Sequence, residues 1–188
     1  GVEQSRLKVI AQNIAIAFDL DNTPLMMQTI VGDNEINVIE FAARIGGGEN
    51  YRIIQLHTGF DIIDSAIDSF LGNSVSLNYE PPTGLFGDVY IHVRPSVFGG
   101  ISGYESLVND GTIEYLNVFK ASGTSISAEL SSNNRVGSFL VRGDDQNQIF
   151  EKIKIALENI EVFDVDGKPV MRKEIYGAHS TIQAEELA

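Results

Sequence analysis

Three polar residues in the first quarter of the chain, Gln28, Glu40 and Arg44, have side chains that could share one piece of chemistry. A carboxylate and an amide oxygen are hard donors, and magnesium is usually held by one or two carboxylates plus the phosphates of a substrate. A guanidinium presents a planar fork that grips a carboxylate or phosphate through paired hydrogen bonds. Brought together, the three would hold a divalent cation and an anion it touches. Gly46, Gly47 and Gly48 follow closely and allow a sharp turn or a close backbone approach. They are not a dinucleotide fingerprint, because Tyr51 stands where GxGxxG spacing requires its last glycine.

A hairpin would position these residues. Residues 25–31 and 36–44 read as strands, joined by Gly32-Asp33-Asn34-Glu35. Alternation puts Ile36, Val38, Glu40, Ala42 and Arg44 on one face. A three-residue loop, Asp33 to Glu35, sets Gln28 across from Glu40 with β-carbons about 5 Å apart. A two-residue loop puts them on opposite faces, since a slip of one residue flips every side chain. The pattern also fits a solvated surface pair.

The remaining elements make an α+β chain. Val9, Ile10, Ile14, Ala17 and Phe18 recur at helical spacing, so residues 3–19 read as a helix stopped by Asp21-Asn22-Thr23-Pro24. Helices are expected over 49–57 and 61–71, with stops at Gly59 and Gly72. Beyond residue 72 the chain turns β-rich, with strands over 88–94, 113–119, 125–130 and 135–142 and one long helix over 145–159. A last hairpin pairs 162–165 with 170–175 around Asp166-Gly167-Lys168-Pro169. The organisation expected is one unit over 1–75, a second over 76–176, and a polar tail over 177–188.

Composition narrows the function. The net charge is −13 and basic residues are scattered, which argues against a nucleic-acid surface. The absence of cysteine rules out disulfides and thiolate chemistry. No apolar run approaches the roughly 18 residues a membrane helix needs. The start also lacks a signal peptide's basic and apolar regions, so a cytoplasmic location is the expectation. A homodimer is compatible with this composition.

The stretch Val38-Ile39-Glu40-Phe41-Ala42-Ala43-Arg44-Ile45-Gly46-Gly47-Gly48 resembles the Glu-x-Asn-x-Arg-x-Gly-Gly segment of ATP-grasp enzymes. These include the carbamoyl-phosphate synthetase large subunit, biotin carboxylase, glycinamide ribonucleotide synthetase and L-amino-acid ligases. Gln55 to Ile63, with Ala66-Ile67 and Leu71-Gly72, resembles the helices that follow it there. Arg135-Val136-Gly137, Gly143 and the 145–159 helix are similar to the barrel that follows the grasp domain in biotin-carboxylase-like members.

The resemblance implies the C-terminal lobe of an ATP-grasp domain followed by a β-rich, barrel-like cap with one long helix. It implies ATP and Mg2+ as cofactors and small-molecule carboxylate and amine substrates, joined through an acyl phosphate. Carried over by position, Gln28 and Glu40 would bind magnesium, and Arg44 would hold the acyl phosphate or substrate carboxylate. Gly46, Gly47 and Gly48 would give backbone access to the cofactor. Arg94 falls in a strand where biotin carboxylases place a functional arginine; a surface salt bridge is the alternative. His57 at a helix end and His179 in the tail carry no such role, and His92 shares a strand face with Arg94. Ala42 stands where the family has an Asn ligand, so one oxygen donor is missing. The resemblance further implies that the adenine-binding lobe would precede residue 1, leaving this stretch inactive by itself.

Overall fold

The structure is a computed structural model that describes residues 4–32, 35–80, 84–129 and 131–176. The tail expected over 177–188, with His179, lies outside them. The chain divides into two compact units, Gly1–Thr83 and Gly84–Ala188.

The first unit holds helix α1 (Gln4–Ala17), the antiparallel strands β1 (Met26–Val31) and β2 (Ile36–Ala42), and helices α2 (Asn50–Thr58) and α3 (Ile62–Phe70). Its helix ends are chemically marked. Gly59 takes φ 72°, and its N–H closes α2 on the Gln55 carbonyl. The Asp61 carboxylate accepts from the N–H groups of Ile63 and Asp64 at the start of α3, a cap typically contributing about 1 kcal/mol. Burial is sparse. Among the described residues of this unit, Ala66 and Glu49 alone are buried, while Ile16 is 79% and Phe70 70% exposed.

The second unit has a real core. Strands β3 (Leu85–His92), β7 (Arg135–Gly143) and β5 (Tyr115–Val118) form one antiparallel sheet in the order β3-β7-β5. A second sheet runs β6-β4-β8, from Ser125–Ile126 (β6), Ser96–Ser102 (β4) and Glu161–Asp164 (β8). Helix α5 (Gln146–Asn159), capped by Asp145, packs on the first sheet; a Cβ on Gly87 would stand 3.0 Å from Ile149 Cγ2. Phe98, Phe139, Ile91, Ile113, Ile160 and Val162 are almost wholly buried between these layers. Two open three-stranded sheets thus stand where a barrel-like cap is expected.

Strand β4 and the short helix α4 (Glu105–Asn109) are additions to the sequence reading. Gly99 and Gly100 lower the apparent strand propensity of β4, yet a Cβ on Gly99 would overlap the Asp164 carbonyl of β8. The last hairpin also differs. Its return arm leaves β8 after an isolated bridge at Pro169 and crosses to β3, with Arg94 N–H bonding Val170 O and Arg172 N–H bonding His92 O.

Candidate functional site

The hairpin turn closes on a Gly32 N–H to Glu35 carbonyl bond of 2.9 Å, and the last paired residues are Val31 and Ile36. Closed at that bond, the loop is one residue shorter than the three-residue loop expected. Carried along uninterrupted, that register would place Gln28 opposite Ile39. A bulge between Gln28 and Thr29 corrects it: Thr29 faces Val38, whereas Gln28 faces Glu40. The extra residue on β2 absorbs the slip.

Residues directly opposite in an antiparallel ladder project to the same face. Gln28 and Glu40 are thus neighbours on one exposed face, with Ala42 across from Met26 one pair along. The bulge alters the rest of the alternation. Ile36 and Val38 pair with Val31 and Thr29, and so lie on the face opposite Glu40, together with Phe41. On that face the Phe41 ring meets Phe18, just past the end of α1, edge-on with centroids 4.8 Å apart.

Arg44 reaches its position differently from the strand expected. β2 ends at Ala42, and the chain bends at once, with the Arg44 N–H on the Ala42 carbonyl at 2.9 Å. Strand alternation therefore does not assign its face. Its guanidinium Nη1 donates to the Ile45 carbonyl at 2.9 Å, leaving other donors of the fork available. Arg44 lines a cavity of about 550 Å³ with Met26, Gly46, Asn50, Ile54 and Ala66. A Cβ on Gly46 would stand 3.1 Å from Asn50 Nδ2 and 3.4 Å from Met26 Cγ, so glycine keeps this wall thin. Gly47 has open space around it, and Gly48 takes φ 70°, a conformation that favours glycine.

Among the described residues, no cluster of three His, Cys, Asp or Glu side chains could hold a metal. One carboxylate and one amide oxygen remain a workable magnesium set where substrate phosphates supply the other ligands. Ala42 offers no oxygen. His57 lies in the last turn of α2 as expected.

Arg94 lies in the second unit and is tied down: Nη1 donates to Met171 O at 3.1 Å and Nη2 pairs with Glu174 at 3.0 Å. Those contacts are the salt bridge weighed against a substrate role. Arg135 entered the sequence reading only as part of the Arg135-Val136-Gly137 resemblance, without a role, and Arg172 was given none. Clustering of cations in space has no sequence signature when three different segments supply them.

No family model matches the sequence, nor does any curated protein. Solved structures do. Phosphoribosylglycinamide synthetase from Anaerococcus prevotii matches with TM-score 0.67 and 17% identity, over 87% of this chain and 43% of that one. L-amino acid ligase from Bacillus licheniformis matches with TM-score 0.67 and 19% identity, over 87% and 42%. Biotin carboxylase from Campylobacter jejuni, in a complex with β-γ-ATP, matches with TM-score 0.64 and 16% identity, over 93% and 39%.

The fold is that of part of an ATP-grasp ligase. At these identities the likeness is one of fold, and the chain spans less than half the length of these ATP-grasp structures.

Proposed function

We propose that the chain is the C-terminal portion of an ATP-dependent carboxylate–amine ligase, with Gln28 and Glu40 as its magnesium donors. The observation that carries this reading is the bulge that restores Gln28 opposite Glu40. In the reaction proposed, the terminal phosphoryl group of ATP passes to a substrate carboxylate and ADP leaves. An amine then attacks the acyl carbon and inorganic phosphate leaves. Magnesium, when bound, would neutralise charge on the transferring phosphoryl group. The hairpin's part is to hold two oxygen donors on one face. Arg44 would orient the carboxylate or acyl phosphate through its free fork, with Gly46 to Gly48 letting the ligand approach the backbone.

The thin core of the first unit supports the further reading that other polypeptide completes it. Exposed Ile16, Phe18, Ile30 and Phe70 are more apolar surface than a self-sufficient unit presents. Residues 1–188 alone would then show no ATP hydrolysis and only weak ATP binding. Ala42 favours a second reading, in which the domain has lost catalysis and serves as a binding module.

Kinetics of Glu40→Gln in the complete polypeptide distinguish the two. A catalytic hairpin predicts a fall in kcat of about a hundredfold, the scale of losing one charge-stabilising group. An unchanged kcat contradicts it, and a wild type without turnover favours the binding module.

A further inference from the structure

Within the first unit, the cavity of about 550 Å³ beside the glycine turn has walls of one character. Leu25, Met26, Ile53, Ile54, Phe60 and Ile62 contribute apolar side chains, and among the described residues that line it Arg44 alone is charged. Several of its polar side chains are spent on the protein itself. Ser65 and Ser69 donate their hydroxyls to the carbonyls of Asp61 at 2.7 Å and Ala66 at 2.8 Å, and Asn22 Nδ2 donates to Asn73 O at 2.9 Å.

The chain itself builds these walls. The Asn22–Asn73 bond and a Glu80 N–H to Thr58 carbonyl bond of 2.8 Å hold the segment carrying Val75 and Leu77 along one side. Exposed Ile16, Phe18, Ile30 and Phe70, the apolar surface left for further polypeptide, line none of it.

A guanidinium beside an apolar hollow matches a ligand with one anionic head and an apolar tail. An ammonium group there would give up its water beside apolar walls, meet the like charge of Arg44 and find no carboxylate among the described lining residues. We infer that the carboxylate substrate of this site is an alkyl or aryl monocarboxylic acid rather than an amino acid, with Arg44 on the carboxylate and the tail in the cavity. This rests on the proposed ligase reading for what becomes of the carboxylate, though not for its binding.

The test follows the isoleucine methyl resonances of the 188-residue chain during separate titrations with butanoate, hexanoate, octanoate, octanol and norleucine, which is hexanoate with an α-ammonium. Octanoate should shift Ile53, Ile54 and Ile62 saturably. Each methylene added from butanoate onward should tighten binding about threefold to fourfold, because burying one contributes ~0.8 kcal/mol. Octanol should bind at least tenfold more weakly than octanoate, and norleucine at least tenfold more weakly than hexanoate. Arg44→Gln should bring octanoate down to the affinity of octanol and leave octanol where it was. Octanol binding as tightly as octanoate, with Arg44→Gln silent, would mark an apolar surface for polypeptide to cover and overturn the inference. Norleucine binding as tightly as hexanoate would overturn it too, as would shifts that never saturate. Glu40→Gln should leave octanoate affinity unchanged, so failure of the magnesium reading in the kinetics of that variant is told apart from failure of this one.

Discussion

Glu40 and Gln28 present two oxygens on one face, and Ala42, one pair away on that face, presents none. Ala42→Asn would add the donor that the resemblance implies is missing. We expect it to tighten divalent-cation binding about three- to tenfold, read by manganese titration; no change would show that position 42 lies outside the coordination sphere. Arg44 makes one bond to its neighbour's carbonyl and keeps further donors for a ligand. Arg44→Lys keeps the charge and loses the fork, so in the complete enzyme kcat should fall by an amount equal to roughly 2–3 kcal/mol. The melting temperature should hold, because Arg44 is exposed. Loss of stability without loss of kcat would make Arg44 structural. His92 carries a pH prediction. Its folded pKa is depressed by burial, Arg135 and Arg172, so the unfolded chain takes up the proton first as pH falls. The neutral imidazole's contribution is complete above the unfolded value of about 6.5 and is lost as pH falls through the lower folded value. Thermal melts between neutral and mildly acidic pH should show a shallower decline for His92→Gln than for wild type.

At the scale of elements, bulges and glycines decide geometry that a propensity reading passes over. Gly99 is the sharpest case. Gly99→Ala would push a methyl into the Asp164 carbonyl where β4 meets β8, and we expect a loss above about 2 kcal/mol in denaturant unfolding of the second unit. An undiminished midpoint would mean that the two strands separate readily. The same residue explains why β4 was illegible: two glycines look like loop chemistry until the neighbouring backbone is seen. The helices were legible from apolar spacing and from the stops at Gly59 and Gly72, whereas the caps at Asp61 and Asp145 emerge only in the structure. Pairing of Gln28 with Glu40 was legible for the wrong reason. The loop is one residue shorter than assumed, and a bulge undoes the difference; neither is encoded in apolar alternation. The grouping of Arg94, Arg135 and Arg172 around one cavity was not legible, since they come from the stretch just past β3, from β7 and from the segment after Met171.

At the scale of the whole molecule, the two units differ in how much they bury. The second encloses Phe98, Phe139, Ile160 and their neighbours, while the first encloses little beyond Ala66. Local stability should follow burial. Amide hydrogen exchange should be slowest in β7 and α5 and fast in α1 and the β1–β2 hairpin; uniform protection across both units would contradict the reading that the first unit awaits further polypeptide. The same contrast bears on function, because an incompletely enclosed lobe can carry donors without holding a nucleotide tightly by itself.

The central claim is that the Gln28–Glu40 face is a cation site, and paramagnetic broadening by manganese tests it most directly. Nitrogen–proton spectra of the 188-residue chain would be recorded with substoichiometric manganese in the presence of ATP, for wild type and Glu40→Gln. The account predicts broadening centred on residues 28 and 40 that disappears in the variant, even where affinity is weak. Broadening spread over the surface carboxylates according to charge, and unchanged by Glu40→Gln, would contradict it.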